Sequence, residues 1–180
     1  MLLLAALALV ACGGPAATPT PRGDAPVDGP AMRALLTTAD VEALGGPGGL
    51  SVELDDLLPV VGDTNPTRAA QLAAWFLLTV HQGDTGPALV FAVLEFHERA
   101  DAEAHLGTVL TGPGFAPVGL GSGVQAALAQ PDDATGIGAA LIALQGKRVI
   151  SLHTTIADGI PPLLDAAGLE VLARLIAGRL

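Results

Sequence analysis

Tyrosine is absent, tryptophan and cysteine each occur once, and aromatic residues make up 3% of the 180-residue chain. Few platforms remain on which bases or sugar rings could stack. Basic residues are also sparse. Eight Lys and Arg stand against eighteen Asp and Glu, for a net charge of −10, and the basic ones are scattered along the chain. Holding a phosphate backbone takes clustered cations, so no nucleic acid is expected as a partner. The same acidity opposes attraction to anionic lipid headgroups, so any membrane link must rest on something other than surface charge. A single cysteine, Cys12, excludes an internal disulfide. Stability must therefore come from a packed core. Hydrophobic residues at 51%, against 14% charged, supply the material for one.

The apolar material begins at once. Leu2 to Ala11 is an unbroken apolar run ending on Leu9-Val10-Ala11-Cys12. It falls short of the roughly 20 residues needed to span a bilayer and suits the apolar part of a secretory signal, about 7–15 residues. No Lys or Arg precedes Arg22, so the positive start of such a signal falls to the Met1 amino group or to residues upstream of Met1. The tetrapeptide resembles the lipobox of bacterial lipoproteins, in which small residues precede a cysteine whose sulfur takes a diacylglyceryl group. That resemblance implies a signal peptide over 1–11, cleavage before Cys12 and lipid attachment at Cys12. It also implies a lipid-anchored location on the extracytoplasmic face of a bacterial cell envelope. Two or more acyl chains anchor stably where one does not.

Residues 12–32 read as the lipidated cysteine and a flexible linker, with Pro15, Pro19, Pro21, Pro26 and Pro30 and no apolar periodicity. Such a segment cannot bury enough surface to offset its ordering entropy. Extended at roughly 3.1 Å per residue, it would reach about 60 Å from the membrane. Arg22-Gly23-Asp24 matches a tripeptide read by integrins, but Gly and Asp are ordinary linker residues.

Residues 33–180 have the size of one domain. A short helix is predicted over 37–46, capped by Thr37 or Thr38 and ended by Gly45-Gly46. A strand is predicted over 50–58. The apolar runs 72–81 and 88–97, joined by a Gly- and Pro-containing connection, read as an antiparallel hairpin. A helix is predicted over 101–110, with Ala102, Leu106, Val109 and Leu110 on one face. Strands follow over 118–128, 137–145 and 148–156, the last two joined by a two-residue turn with Gly146 first. Pro161-Pro162 opens a terminal helix whose buried stripe is Leu164, Val171, Leu172, Leu175 and Ile176. Hairpins outnumber helical crossovers. The fold expected is α+β, a mainly antiparallel sheet of about five to six strands with two or three helices packed on it.

Val93-Leu94-Glu95-Phe96 leads into the 101–110 helix. Pro117-Val118-Gly119-Leu120-Gly121, the turn at Gly146-Lys147 and the Leu-rich terminal helix come after it. Together they are similar to a broad group of small secreted bacterial lipoproteins, many of which share a PsbP-like α/β sandwich. The resemblance implies a fold and a compartment and carries over no catalytic residue. An acidic residue often follows the Gly-Leu-Gly element in that group; here Ser122-Gly123 stands instead.

Candidate chemistry is thin. Glu95 and His97, two apart on a strand, share a face. With His153 on another strand they would form a two-His, one-carboxylate set of the kind that holds zinc or iron. No close H-E-x-x-H spacing supports it, and solvated strand ends are the plainer reading. His81, at a strand end, and His105, on a helix, read as solvated. Gly121-Ser122-Gly123 lacks the second glycine of a nucleophile elbow and precedes a strand rather than a helix, so it reads as a turn. Asp55-Asp56 and Asp132-Asp133 lack an EF-hand pattern. The expectation is a membrane-anchored envelope lipoprotein serving as a non-enzymatic binding or interaction module, without cofactor or catalytic residues. Its partners would be the membrane through the lipid and an envelope protein or small ligand. The alternatives are a carrier of an apolar or lipid ligand, and a metal-dependent hydrolase using Glu95, His97 and His153.

Overall fold

The computed structural model describes residues 26–83, 86–112, 114–121, 123–131, 136–156 and 160–180. In chain order the elements are α1 (Gly29–Leu35), α2 (Thr38–Ala43), β1 (Ser51–Asp56), α3 (Leu58–Thr64), α4 (Pro66–Ala69), β2 (Leu72–His81) and β3 (Ala88–Phe96). They continue with α5 (Arg99–Leu110), β4 (Phe115–Val118), β5 (Val124–Ala129), β6 (Ile137–Gln145), β7 (Arg148–Thr155) and α6 (Ala166–Arg179). Cys12, the signal-like run, Arg22-Gly23-Asp24, Ser122 and Asp132-Asp133 lie outside the described residues.

The strands form one sheet in the order β1-β2-β3-β7-β6-β5-β4, and every pairing is antiparallel. Alternation along the long central strands gives the sheet two different faces. On one face Leu78, Val80, Leu89, Phe91, Val93, Leu141, Ile150 and Leu152 are buried, covered by α1, α2, α6 and the Leu163-Leu164 segment. On the other, Leu94, Phe96, Ile142 and Val149 pack against α5, with Leu58 of α3 alongside. That second layer is incomplete. Trp75, Leu77, Thr79, Val90, Ser151 and His153 all lie on it and stay only half-buried.

Local chemistry explains the helix starts. Thr37 and Asp40 form a reciprocal capping box on α2, satisfying two backbone donors the helix leaves over. Asp165 accepts from the Gly168 N–H at 2.8 Å and caps α6. Arg179, at the other end of α6, reaches both oxygens of Asp40 at 2.7 and 2.8 Å, tying the last helix to the second.

The α+β class and antiparallel sheet agree with expectation, but the sheet has more strands and the fold more helices. The run 118–128 is two strands, because the chain reverses at Gly121 and Gly123, both with left-handed φ (127° and 79°); β4 and β5 pair with each other. Residues before 33 contribute to the core: Met32 is fully buried and Val27 nearly so, so the end of the predicted linker packs with the domain. Pro161-Pro162 precedes α6 rather than opening it. The buried stripe of α6 is Leu169, Leu172, Ala173 and Ile176; Val171 is exposed, and Leu164 is buried ahead of the helix. On α5, Ala102 and Leu106 are buried but Leu110 is exposed. The turn at Gly146-Lys147 is as expected, with Gly146 at φ 61°, the conformation its first position requires.

Candidate ligand groove

The proposed metal ligands do not converge. Glu95 pairs in register with Arg148, while His153 pairs with Val90. Five residues separate the two positions, about 17 Å at ~3.3 Å per residue, and the odd spacing puts them on opposite faces. His97 lies past the end of β3, exposed, its N–H bonded to the Gln71 carbonyl at 3.0 Å. Glu95 is fully buried and has structural partners. Its Oε2 accepts from the Val27 N–H at 2.9 Å and from Arg148 Nε at 3.2 Å, and Lys147 Nζ is 3.1 Å from Oε1. Burial pushes its carboxyl up, but the Val27, Lys147 and Arg148 contacts outweigh it and hold the group below the ordinary carboxylate range. Among the described residues no three His, Cys, Asp or Glu side chains cluster as a metal site needs.

Asp56 accepts from the Leu58 N–H to start α3, so Asp55-Asp56 ends a strand and begins a helix. His81 is less solvated than expected, its side chain 18% exposed, and its Nδ1 lies 2.9 Å from the Gly83 carbonyl. His105 departs from its expected solvated setting: it is half-buried on the inner side of α5, its ring 5.7 Å from that of Phe96.

The thinly covered face of the sheet holds a half-open groove of about 460 Å³ between α3, α4 and α5. Its floor is Trp75, Leu77, Ala92 and Leu94, with Ser151 beside them. These residues adjoin because Trp75 pairs with Leu94, Leu77 with Ala92 and Ala92 with Ser151. Leu57 and Val61 form one wall. That wall is pinned by the Leu57 N–H, which donates to the Trp75 carbonyl at 2.8 Å.

Arg68 and His105 close one end. Asn65 accepts from the Arg68 N–H at 3.0 Å and caps α4, whose Pro66 suits the first turn of a helix. The cap brings the Arg68 guanidinium over the Phe96 ring, 4.8 Å from its centroid. Arg68 Nη2 is 2.8 Å from His105 Nδ1, and Nη1 donates to Gln71 Oε1 at 3.3 Å. Because a guanidinium only donates, Nδ1 must accept, and the neutral ring carries its proton on Nε2. Burial, then the Arg68 charge, hold the His105 pKa below its ordinary value. Burial likewise lowers Arg68, partly offset by the charge of Asp101.

No protein-family model matches the chain, and no curated protein does. Among the described residues no helix is long and apolar enough to cross a membrane. Among solved structures, the extracellular domain of PknH from Mycobacterium tuberculosis is similar in fold. The match has a TM-score of 0.52 at 16% identity and covers 87% of this chain and 98% of that one. At that identity the likeness carries the fold alone.

Proposed function

We propose that this chain is an extracytoplasmic, lipid-tethered binding domain that holds a small, largely apolar ligand between α3 and α5 without chemical turnover. The groove carries this reading. Its volume, about 460 Å³, falls within the roughly 300–1,000 Å³ of small-molecule sites, and an apolar floor with a few polar groups is their usual lining. The compartment is proposed from the lipobox resemblance at Cys12, and a domain described as extracellular having a similar fold is compatible with it. Among the described residues no base is hydrogen-bonded to the Ser151 hydroxyl, and His105 Nδ1 is already engaged by Arg68.

Trp75 is the sole tryptophan and lies in the groove floor, so its fluorescence reports occupancy. Titrating the protein with twelve-carbon amphiphiles should give a saturable change. Ala92→Phe, which grows a ring into the floor, should abolish it while leaving the circular dichroism unchanged. A flat Trp75 signal, together with native mass spectra free of any small-molecule adduct after purification from the host envelope, would refute the proposal.

A further inference from the structure

We propose that the groove selects a single-chain amphiphile with an oxyanion head, carboxylate or phosphate, the head on Arg68 and the chain along Trp75, Leu77 and Ala92. The inference rests on the groove being a binding site and adds the chemistry of what it binds.

Arg99, Lys147, Arg148, Arg174 and Arg179 each lie within ion-pair distance of a carboxylate. Among the described residues neither the exposed Arg33 nor the half-buried Arg68 does, and Asp101 acts on Arg68 through its charge without an ion-pair contact. The hydrogen-bond partners of Arg68 are the neutral Gln71 and His105, and the face of Phe96 lies beneath it. Holding a half-buried cation without a carboxylate in contact is costly, and the charge of Asp101 offsets only part of the effect of burial. The groove thus presents a positive charge with no carboxylate in contact at the end of an apolar floor.

The guanidinium keeps donors in hand. Its bonds to Gln71 and His105 use one hydrogen on each terminal nitrogen, leaving the second hydrogen of each and the Nε–H. A planar fork of this kind matches a carboxylate or phosphate. The chain has somewhere to lie. Beyond Leu77 and Ala92 the same half-covered face continues through Thr79, Val90 and His153. From Phe96, under the head, to Val90 is six residues of β3, about 20 Å at ~3.3 Å per residue. The volume, near the low end of ligand sites, suits one chain.

The test compares dodecanoate, dodecyl phosphate and dodecanol, each below its micelle concentration, by Trp75 fluorescence. At least one anion should bind the wild-type protein about tenfold or more tighter than the alcohol, the worth of one charge-assisted hydrogen bond. The tighter of the two identifies the head. In Arg68→Gln the alcohol should still bind and the preference should vanish. The anion also neutralises the charge beside His105, so its ring resonances should titrate at higher pH in the complex. A merely structural Arg68 would not produce that shift. Equal binding of alcohol and anions by the wild type, or an undiminished preference in Arg68→Gln, overturns the inference while leaving the groove as a binding site. If none of the three moves Trp75, this inference falls, and the binding-site reading falls with it when native mass spectra of the protein from the host envelope are also free of any adduct. Should Arg68→Gln not fold, the wild-type preference and the His105 shift decide, with Arg68→Lys keeping the charge and losing the fork.

Discussion

Glu95 and Arg148 face each other across β3 and β7, both buried, with Arg148 Nε 3.2 Å from Glu95 Oε2. The same oxygen accepts from the Val27 N–H. One carboxylate therefore joins two central strands to the segment just ahead of α1. Removing one partner of a buried pair strands the other's charge, which costs about 3–5 kcal/mol. Glu95→Gln should lose stability on that scale in urea unfolding, and Val27 should lose amide protection from hydrogen exchange.

Acid should act through the same group. The folded-state pKa values of Glu95 and Asp40 lie below their ordinary values of 4.5 and 3.8. Between folded and unfolded values the unfolded chain binds more protons, so stability rises with pH there. The contribution is complete above about pH 4.5 and is lost as pH falls through the folded values. The urea midpoint should hold from pH 7 to about 5 as far as these carboxylates govern it and drop below. Glu95→Gln should shrink the drop.

His105 and His153 add a separate step. Burial lowers both, with Arg68 adding to the effect at His105. A folded pKa below 6.5 means that the unfolded state takes up the proton first. Their contribution is thus complete above about pH 6.5 and fades as pH falls below it. Unfolding measured between pH 7.5 and 5.5, above the range of the carboxylates, should show this slope. His105→Gln should flatten part of it.

Gly138 sits at the irregularity where β6 meets β7. A Cβ there would lie 2.2 Å from Thr154 Oγ1 and 3.2 Å from the Thr154 carbonyl. Thr154 is buried and its hydroxyl accepts from the Ala139 N–H at 3.1 Å, so it cannot yield freely. Gly138→Ala should cost about 1–3 kcal/mol, the usual scale of overpacking. An unchanged melting temperature would show that the strand can shift at no expense.

The proposed tether has its own test. Cys12→Ala should leave the domain folded, since the core among the described residues is built from Val27 onward. It should also move the protein from the detergent to the aqueous phase in a partition experiment, because the anchor is the acyl chains.

Where a residue's fate depends on its neighbours in sequence, it was legible. The runs that became β2, β3, β6 and β7 carry apolar residues over strand length, and glycine at 146 marks the turn between two of them. Thr37 or Thr38 ahead of an acidic first turn announces the α2 cap, and the structure selects Thr37. Two elements offered no such signal. α3 and α4 have no fully buried residue, hence no apolar stripe to betray a helix, although Asn65-Pro66 is a start signal. Those two helices shape the groove. No local pattern marks Arg68 as a groove residue, and a lone histidine such as His105 on a helix carries no sign of burial.

The sequence by itself determined the antiparallel α+β class, the reliance on an apolar core without disulfides and the singular position of Cys12, because composition and short-range periodicity carry them. Only the tertiary structure decided which face of the sheet stayed thinly covered and that Arg68 meets His105, 37 residues away. It also decided that Glu95 takes Val27, Lys147 and Arg148 as partners instead of His97 and His153. Strand register and helix placement set those meetings. They follow from packing the whole chain, which no local pattern encodes.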